Sequence, residues 1–182
     1  MHRQDLLNKL QAYSPEFEIE KEFRASFLSF IETNTDCFER SLQEGHITGS
    51  AWILNAAHDK ALLTHHQKLN RWLQLGGHAD GECDVMQVAL KEAKEESGLT
   101  QLKLLSETIF DIDIHTIPGR ENEPEHLHYD IRFLFEADDS EKLVLSSESK
   151  ALAWVPLDEL KEVTASNDSI LRMALKSDQW RL

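Results

Sequence analysis

The stretch from Arg71 to Leu99 constrains the fold more than any other part of the chain. A short strand, Arg71 to Leu75, runs into the glycine-dense turn Gly76-Gly77-His78-Ala79-Asp80-Gly81. A helix from Asp84 to Ser97 follows and is stopped by Gly98, the residue type favoured just past a helix end. The polarity of this helix is unusual. At about 100° per residue, Asp84, Gln87, Lys91 and Lys94 share one side, while Val85, Met86, Val88, Ala89, Leu90 and Ala93 cover the rest. Glu92, Glu95 and Glu96 project into or beside that apolar arc, the reverse of an ordinary surface helix. Carboxylates at such spacing repel one another, and burying them is costly without a compensating cation. Hard oxygen ligands so arranged suit Mg²⁺ or Mn²⁺. On spacing alone, a solvated helix end with flexible side chains stays open as the alternative.

Around this unit the chain reads as α+β. The first 45 residues carry helical stripes, Leu6, Leu7 and Leu10, then Phe17, Phe23, Phe27, Phe30 and Ile31, with Ser14-Pro15-Glu16 as a helix start between them. A short third helix is expected around Cys37–Leu42, ending at Gly45, and the whole segment reads as a helical extension packed on the domain. From His46 the texture turns to strands. Gly49–Ala57 and Ala61–Thr64 form a hairpin about His58-Asp59-Lys60, Thr108–His115 and His126–Phe135 alternate, and Ala151–Val155 is a last strand before a closing helix at Asp168–Lys176. Helices and strands do not alternate strictly, which favours an antiparallel-rich sheet. The division expected is an extension over residues 1–45 and a domain over 46–182.

Composition narrows the classes. Nineteen Lys and Arg against 33 Asp and Glu give a formal charge of −14, which argues against binding long nucleic acids. An anionic substrate would need local cations, and bound metal is the obvious source. No apolar run reaches the roughly 18–20 residues of a membrane span, and the first residues lead into no apolar signal stretch. Two cysteines, Cys37 and Cys83, make no disulfide framework and fit a reduced, cytoplasmic setting. Cys83 has no activating neighbour in sequence, so a nucleophilic role is not expected.

Residues 77–99 resemble the box of the Nudix hydrolase family, G-x(5)-E-x(7)-R-E-U-x-E-E-x-G-U with U a bulky apolar residue. Gly77, Glu92, Glu95, Glu96, Gly98 and Leu99 match. Cys83 stands where the first Glu is expected, Lys91 replaces the Arg, and Ala93 is small for its apolar slot. The resemblance covers roughly His46 to Leu182 and implies a mixed sheet between helices, with the box as strand, loop and helix. It implies a metal-dependent pyrophosphohydrolase that cleaves a diphosphate linkage in a nucleoside diphosphate joined to another moiety, such as an NTP or a nucleotide sugar. It also implies roles. Glu92 and Glu96 would be the main metal ligands, with Glu95 an additional ligand or base-like acid and the Gly76 carbonyl a backbone ligand, for Mg²⁺ or Mn²⁺. Glu148, six residues before Trp154, corresponds in position to a further catalytic acid in some members. The Cys83 and Lys91 departures remove a supporting charge pair, so that the loop's charge-assisted tie is absent or is carried by neighbouring Glu82 or Asp84. A non-hydrolytic sensor on the same scaffold is the alternative, and a homodimer is left open.

The two alternating strands add a second constellation. Side chains alternate across a strand, so Asp111, Asp113 and His115 share one face, and His126, His128 and Asp130 another. Symmetric closure of the loop sets His128 opposite Asp113 and Asp130 opposite Asp111, with Ile112, Ile114, Leu127, Tyr129 and Ile131 packing the other side. His115, His126, His128 and Asp130, with His78 from the glycine turn, are the candidate substrate contacts. A plain solvated sheet face is the alternative. These segments also resemble a bacterial subgroup of the same family, which implies no particular substrate.

Overall fold

Alternation along two long strands sets the layers. The computed structural model describes residues 2–119 and 124–181. Along the chain, α1 (Gln4–Ala12) and α2 (Glu18–Thr33) precede β1 (Gly45–Asn55), β2 (Lys60–His66), β3 (Arg71–Leu73), β4 (Leu75–His78) and α3 (Val85–Ser97). Then come β5 (Lys103–Leu104), β6 (Asp111–Ile117), β7 (His126–Ala137), β8 (Ser149–Pro156), α4 (Leu160–Val163) and α5 (Asp168–Ser177). The strands form one mixed sheet. Its centre is the parallel pair β1–β7, in register from Gly45 against Leu127 to Asn55 against Ala137. The other pairings are antiparallel: β4 and β2 on the free edge of β1, β6 and β5 on the free edge of β7, and β3 and β8 on β2. A parallel pair needs a crossover between its strands, and here that crossover carries α3.

One sheet face is closed along its length. Ile47, Ala51 and Ile53 of β1 and Ile131, Phe133 and Phe135 of β7 pack against Val85, Val88, Ala89 and Ala93 of α3. Leu6, Leu10, Phe27, Phe30 and Ile31 of α1 and α2 complete the same core. The opposite face is covered only in part. Trp52, Leu54 and Leu134 bury against Ile170 and Met173 of α5, and the Trp52 indole N–H donates to Ser177 Oγ at 2.8 Å. Toward the start of β1 that face carries His46, Thr48 and Ser50 instead, and there a cleft opens. No helix among the described residues is long and apolar enough to cross a membrane.

The α+β architecture with a mixed sheet between helices is as expected; several local details differ. α2 starts at Glu18, because the Glu20 carboxylate accepts the backbone N–H groups of Glu16 and Phe17 at 2.8 and 2.9 Å and caps the helix beyond Pro15. Residues 37–42 form turns rather than a third helix, with the Cys37 carbonyl accepting from Ile47 N at 2.8 Å. The single strand expected over 71–75 divides, because β3 pairs with β2 while β4 turns to β1. Register between β6 and β7 is two residues from symmetric closure: His115 faces His128, and Asp113 faces Asp130. The cause lies at the buried end of the pair, where Asp111 stands opposite Arg132 and binds its guanidinium at 2.9 Å.

Candidate active site

The cleft encloses about 460 Å³ on the uncovered part of the sheet. Glu92, Glu95 and Glu96 reach it from α3, Gly76, Gly77 and His78 from β4, and Glu148 from just before β8. His115, His126, His128 and Asp130 reach it from β6 and β7. Each residue singled out from the sequence as a ligand, a catalytic acid or a substrate contact therefore lines one cavity.

The orientation of α3 follows from its ends. The Asp84 carboxylate accepts from Gln87 N at 3.3 Å, and Gly98 ends the helix in the left-handed region at φ 74°. Between these stops Glu96 turns inward and is 7% exposed. Its Oε2 accepts the Gly76 N–H at 2.9 Å, joining helix to strand. Burial pushes its carboxyl up to about 7; the Gly76 N–H opposes the shift, while Glu92 and Glu148 reinforce it. Glu92 is also raised, chiefly by burial, with Lys91 opposing and Glu95 and Glu148 adding their charge. A Cβ on Gly77 would lie 2.5 Å from Glu92 Oε2, so a side chain there would displace that carboxylate from its present position. Glu95 sits at the exposed rim, 3.9 Å from Lys91 Nζ, rather than in the apolar arc. Packing of Ala93 and Ser97 turns the arc toward the sheet and Glu95 away from it.

Carboxylates that raise one another's pKa in a shared pocket form a donor set of hard oxygens and excess negative charge. That chemistry fits a divalent cation such as Mg²⁺ or Mn²⁺.

The loop between β4 and α3 is held from outside the helix. Arg40 Nε donates to Asp80 Oδ1 at 2.5 Å, and Gly81 N donates to the Phe38 carbonyl at 3.1 Å. Glu82 Oε1 accepts from Asp84 N at 2.9 Å. Lys91 leans on Glu92 and Glu95, at 3.7 and 3.9 Å, while Cys83 packs against the core and its Sγ donates to the Gly81 carbonyl at 3.6 Å. Burial and the nearby Glu82 and Glu39 carboxylates raise the Cys83 thiol.

On the sheet, Asp130 is committed to protein donors. Thr48 Oγ1 and Ser50 Oγ reach Oδ1 at 2.9 and 2.7 Å, and Gln74 Nε2 and Arg132 Nε reach Oδ2 at 3.1 and 2.8 Å. His115 Nδ1 donates to Asp113 Oδ2 at 3.1 Å, and His126 Nδ1 donates to the Pro124 carbonyl at 2.9 Å. His126 and His128 approach through their Nε2 atoms at 3.3 Å. Burial lowers His128 strongly, and the surrounding histidines lower it further.

Sequence reasoning assigned no role to His46. It is 1% exposed and both its ring nitrogens lack a hydrogen bond. The Leu42 backbone supports its charged form only weakly, and burial followed by His78 and His126 lowers it to about 4. Leaving a buried polar group unpaired costs about 1–3 kcal/mol. Also outside the sequence reading were Thr48, Ser50 and Gln74, whose hydroxyl and amide groups are ordinary in strands and turns and carry no spacing signal.

A NUDIX domain family model matches residues 46–174. Among solved structures, a C. elegans Ap4A hydrolase in a binary complex matches with a TM-score of 0.59 at 17% identity, covering 74% of this chain and 96% of its own. A NUDIX family hydrolase from Clostridium perfringens matches with a TM-score of 0.53 at 25% identity, covering 74% of this chain and 97% of its own. The E. coli dihydroneopterin triphosphate pyrophosphohydrolase matches with a TM-score of 0.53 at 14% identity, covering 74% and 94%. No curated protein sequence matches significantly.

Proposed function

The chain belongs to the NUDIX family and is a hydrolase of that type, and from that premise we propose a divalent-cation-dependent pyrophosphohydrolase. Its substrate is a soluble nucleotide-type molecule, a nucleoside diphosphate linked to another moiety, and its setting the cytoplasm. The observation that carries this reading is the meeting of Glu92, Glu96 and Glu148 in one cleft, with Glu96 buried, hydrogen-bonded by the neutral Gly76 N–H and paired with no Lys or Arg among the described residues. Glu92 and Glu96, with the Gly76 carbonyl, would hold Mg²⁺ or Mn²⁺, and Glu95 at the rim would add a further carboxylate. When bound, the cation neutralises diphosphate oxygens and acidifies water.

The remaining work falls to side chains. Glu148 accepts the proton of the attacking water at a carboxylate oxygen, since it faces the buried pair while Glu95 leans toward Lys91. Lys68, also lining the cleft, balances the outer phosphate or the leaving moiety. His78, His115, His126 and His128 form the wall opposite the acids and contact the substrate, and Asp130 fixes that wall through its four hydrogen bonds. Helix α3 supplies two acids from a rigid element, which keeps their geometry constant through turnover.

A metal-dependent phosphate-release screen over NTPs, nucleotide sugars, dinucleoside polyphosphates and cofactor diphosphates tests the proposal. Turnover of one class that requires Mg²⁺ or Mn²⁺ and disappears in Glu96→Gln supports it. Tight nucleotide binding with no turnover across the panel contradicts it and supports the sensor reading.

A further inference from the structure

Three histidines from three strands meet at the cleft wall. His46 on β1 is the direct register partner of His128 on β7, and His78 on β4 sits beside them opposite Thr48. Their ring centroids form a nearly equilateral triangle: 4.9 Å for His46–His128 and 5.0 Å for both His46–His78 and His78–His128. One ring nitrogen from each lies within 4.8 Å of the other two. We propose that His46, His78 and His128 bind a first-row transition cation of the Zn²⁺ class, at a site chemically distinct from the carboxylates of α3.

Four observations support the site. The first is the orphaned imidazole: His46 is fully enclosed, and neither ring nitrogen has a hydrogen bond. A metal bond gives one of them the partner that the protein withholds. The second is donor chemistry. Neutral imidazole is a borderline donor that suits Zn²⁺, Ni²⁺ or Cu²⁺, whereas Mg²⁺ prefers oxygen and keeps its waters. The third is distance. Nitrogens around a tetrahedral ion stand about 3.3 Å apart when each metal–nitrogen bond is about 2.0–2.1 Å, so small ring rotations close the present triangle. The fourth is the surround. His126 Nε2 lies 3.3 Å from His128 Nε2 while its Nδ1–H is fixed on the Pro124 carbonyl, and His115 beside His128 is oriented by Asp113. Outer groups of this kind orient ligating histidines elsewhere.

Three protein ligands leave a coordination position open, and His78 and His128 line the cleft, so that position faces the substrate space. A phosphate oxygen is the ligand that this space would offer. The inference goes beyond the proposed hydrolysis and does not depend on it, because metal alone reads it out.

The experiment is a Co²⁺ titration of chelator-stripped protein, followed by visible absorption and repeated with Zn²⁺ in a calorimeter. The intense visible band of tetrahedral coordination, saturating at one Co²⁺ per chain and displaced by Zn²⁺, is expected, whereas Co²⁺ taken up by the oxygen ligands of α3 lacks that band. His78→Ala, at a half-buried position, should weaken binding by more than the roughly 10–100-fold typical of losing a supporting residue. His128→Ala should do the same, and if it fails to fold then His78→Ala decides alone. Glu96→Gln should bind Co²⁺ with the same band and affinity. Absence of the band, an undiminished band in His78→Ala, or loss of the band in Glu96→Gln would overturn the site. Failure of the hydrolase proposal would show separately, as absence of Mg²⁺-dependent turnover.

Discussion

Two groups of buried charge around one sheet are solved in opposite ways. At one end, Asp111 receives Arg132 at 2.9 Å, Arg172 at 2.9 and 3.0 Å, and Lys176 at 2.9 Å, while Glu20 of α2 pairs with Lys176 and Tyr13. Burial pulls the Asp111 carboxyl upward, yet the three cations overcome it and hold it below the usual range. Asp113, bound by Arg132, Arg172 and His115, is held low in the same way. At the other end, Glu96 and Glu92 are pushed up, and the His46 ring nitrogens have no hydrogen-bond partner among the described residues. The first group is closed within the protein and ties α2, β6, β7 and α5 together. The second is incompletely paired, with Lys91 3.7 Å from Glu92 and no ion-pair partner for Glu96 among the described residues. Under the proposed function a bound cation and an anionic substrate would supply what is missing. Buried polarity alone does not mark a site; incomplete pairing does.

Breaking the closed network should cost most. Arg172→Met leaves Asp111 and Asp113 with a missing cation, and the loss of one partner from a buried ion cluster is worth about 3–5 kcal/mol. Urea unfolding should show that loss, with metal binding in the cleft unchanged. A variant within experimental error of wild type would place the stability of that end elsewhere. On the open side, Glu96→Gln keeps an acceptor for the Gly76 N–H and so keeps the fold. It should lower kcat by at least about 100-fold, the equivalent of the several kcal/mol that a bound cation contributes. Steady-state kinetics at saturating substrate and limiting Mg²⁺ would contradict this by returning a wild-type rate.

Smaller effects probe the boundary between the two regions. Restoring Cys83→Glu and Lys91→Arg together should yield less than about 1 kcal/mol of coupling in a double-mutant cycle, because the Lys91 side chain is 65% exposed. A coupling above about 1.5 kcal/mol, the level of a shielded charged hydrogen bond, would mean that the two positions meet out of water. Arg40→Ala should change stability least, by no more than about 1 kcal/mol, since Arg40 and Asp80 are both about half exposed. A larger drop in thermal unfolding would make that pair the main anchor of the loop.

Much of the open region was legible because its information is local. The strand, glycine turn and capped helix lie within a single stretch, and the helical period alone turned Glu92 and Glu96 toward the apolar side. The strand period likewise placed His115, His128 and Asp130 on a common face. What escaped depends on contacts distant in sequence. His46 acquires its meaning from His128 across a parallel pairing, and a lone histidine at a strand start says nothing of that partner. The two-residue register shift of β6 against β7 is set by Asp111 and Arg132, not by the turn. Nothing in the spacing of Arg172 and Lys176 along α5 points to Asp111, which only the fold brings within their reach. Glu95 shows the limit of the period: one residue from Glu96, it faces solvent.

The pH dependence of unfolding, measured on metal-free wild type and Glu96→Gln, tests most directly whether the cleft holds uncompensated charge. Glu96 titrates near 7 in the fold against 4.5 for an ordinary Glu, so the folded state retains its proton where the unfolded state has released it. Its favourable contribution is complete below pH 4.5 and is lost as pH rises to about 7. Wild type should therefore lose about 3 kcal/mol relative to Glu96→Gln across that window, and saturating Mg²⁺ should recover much of the loss at the upper end. A difference that stays flat with pH and does not respond to Mg²⁺ would contradict an acid face built to receive a cation.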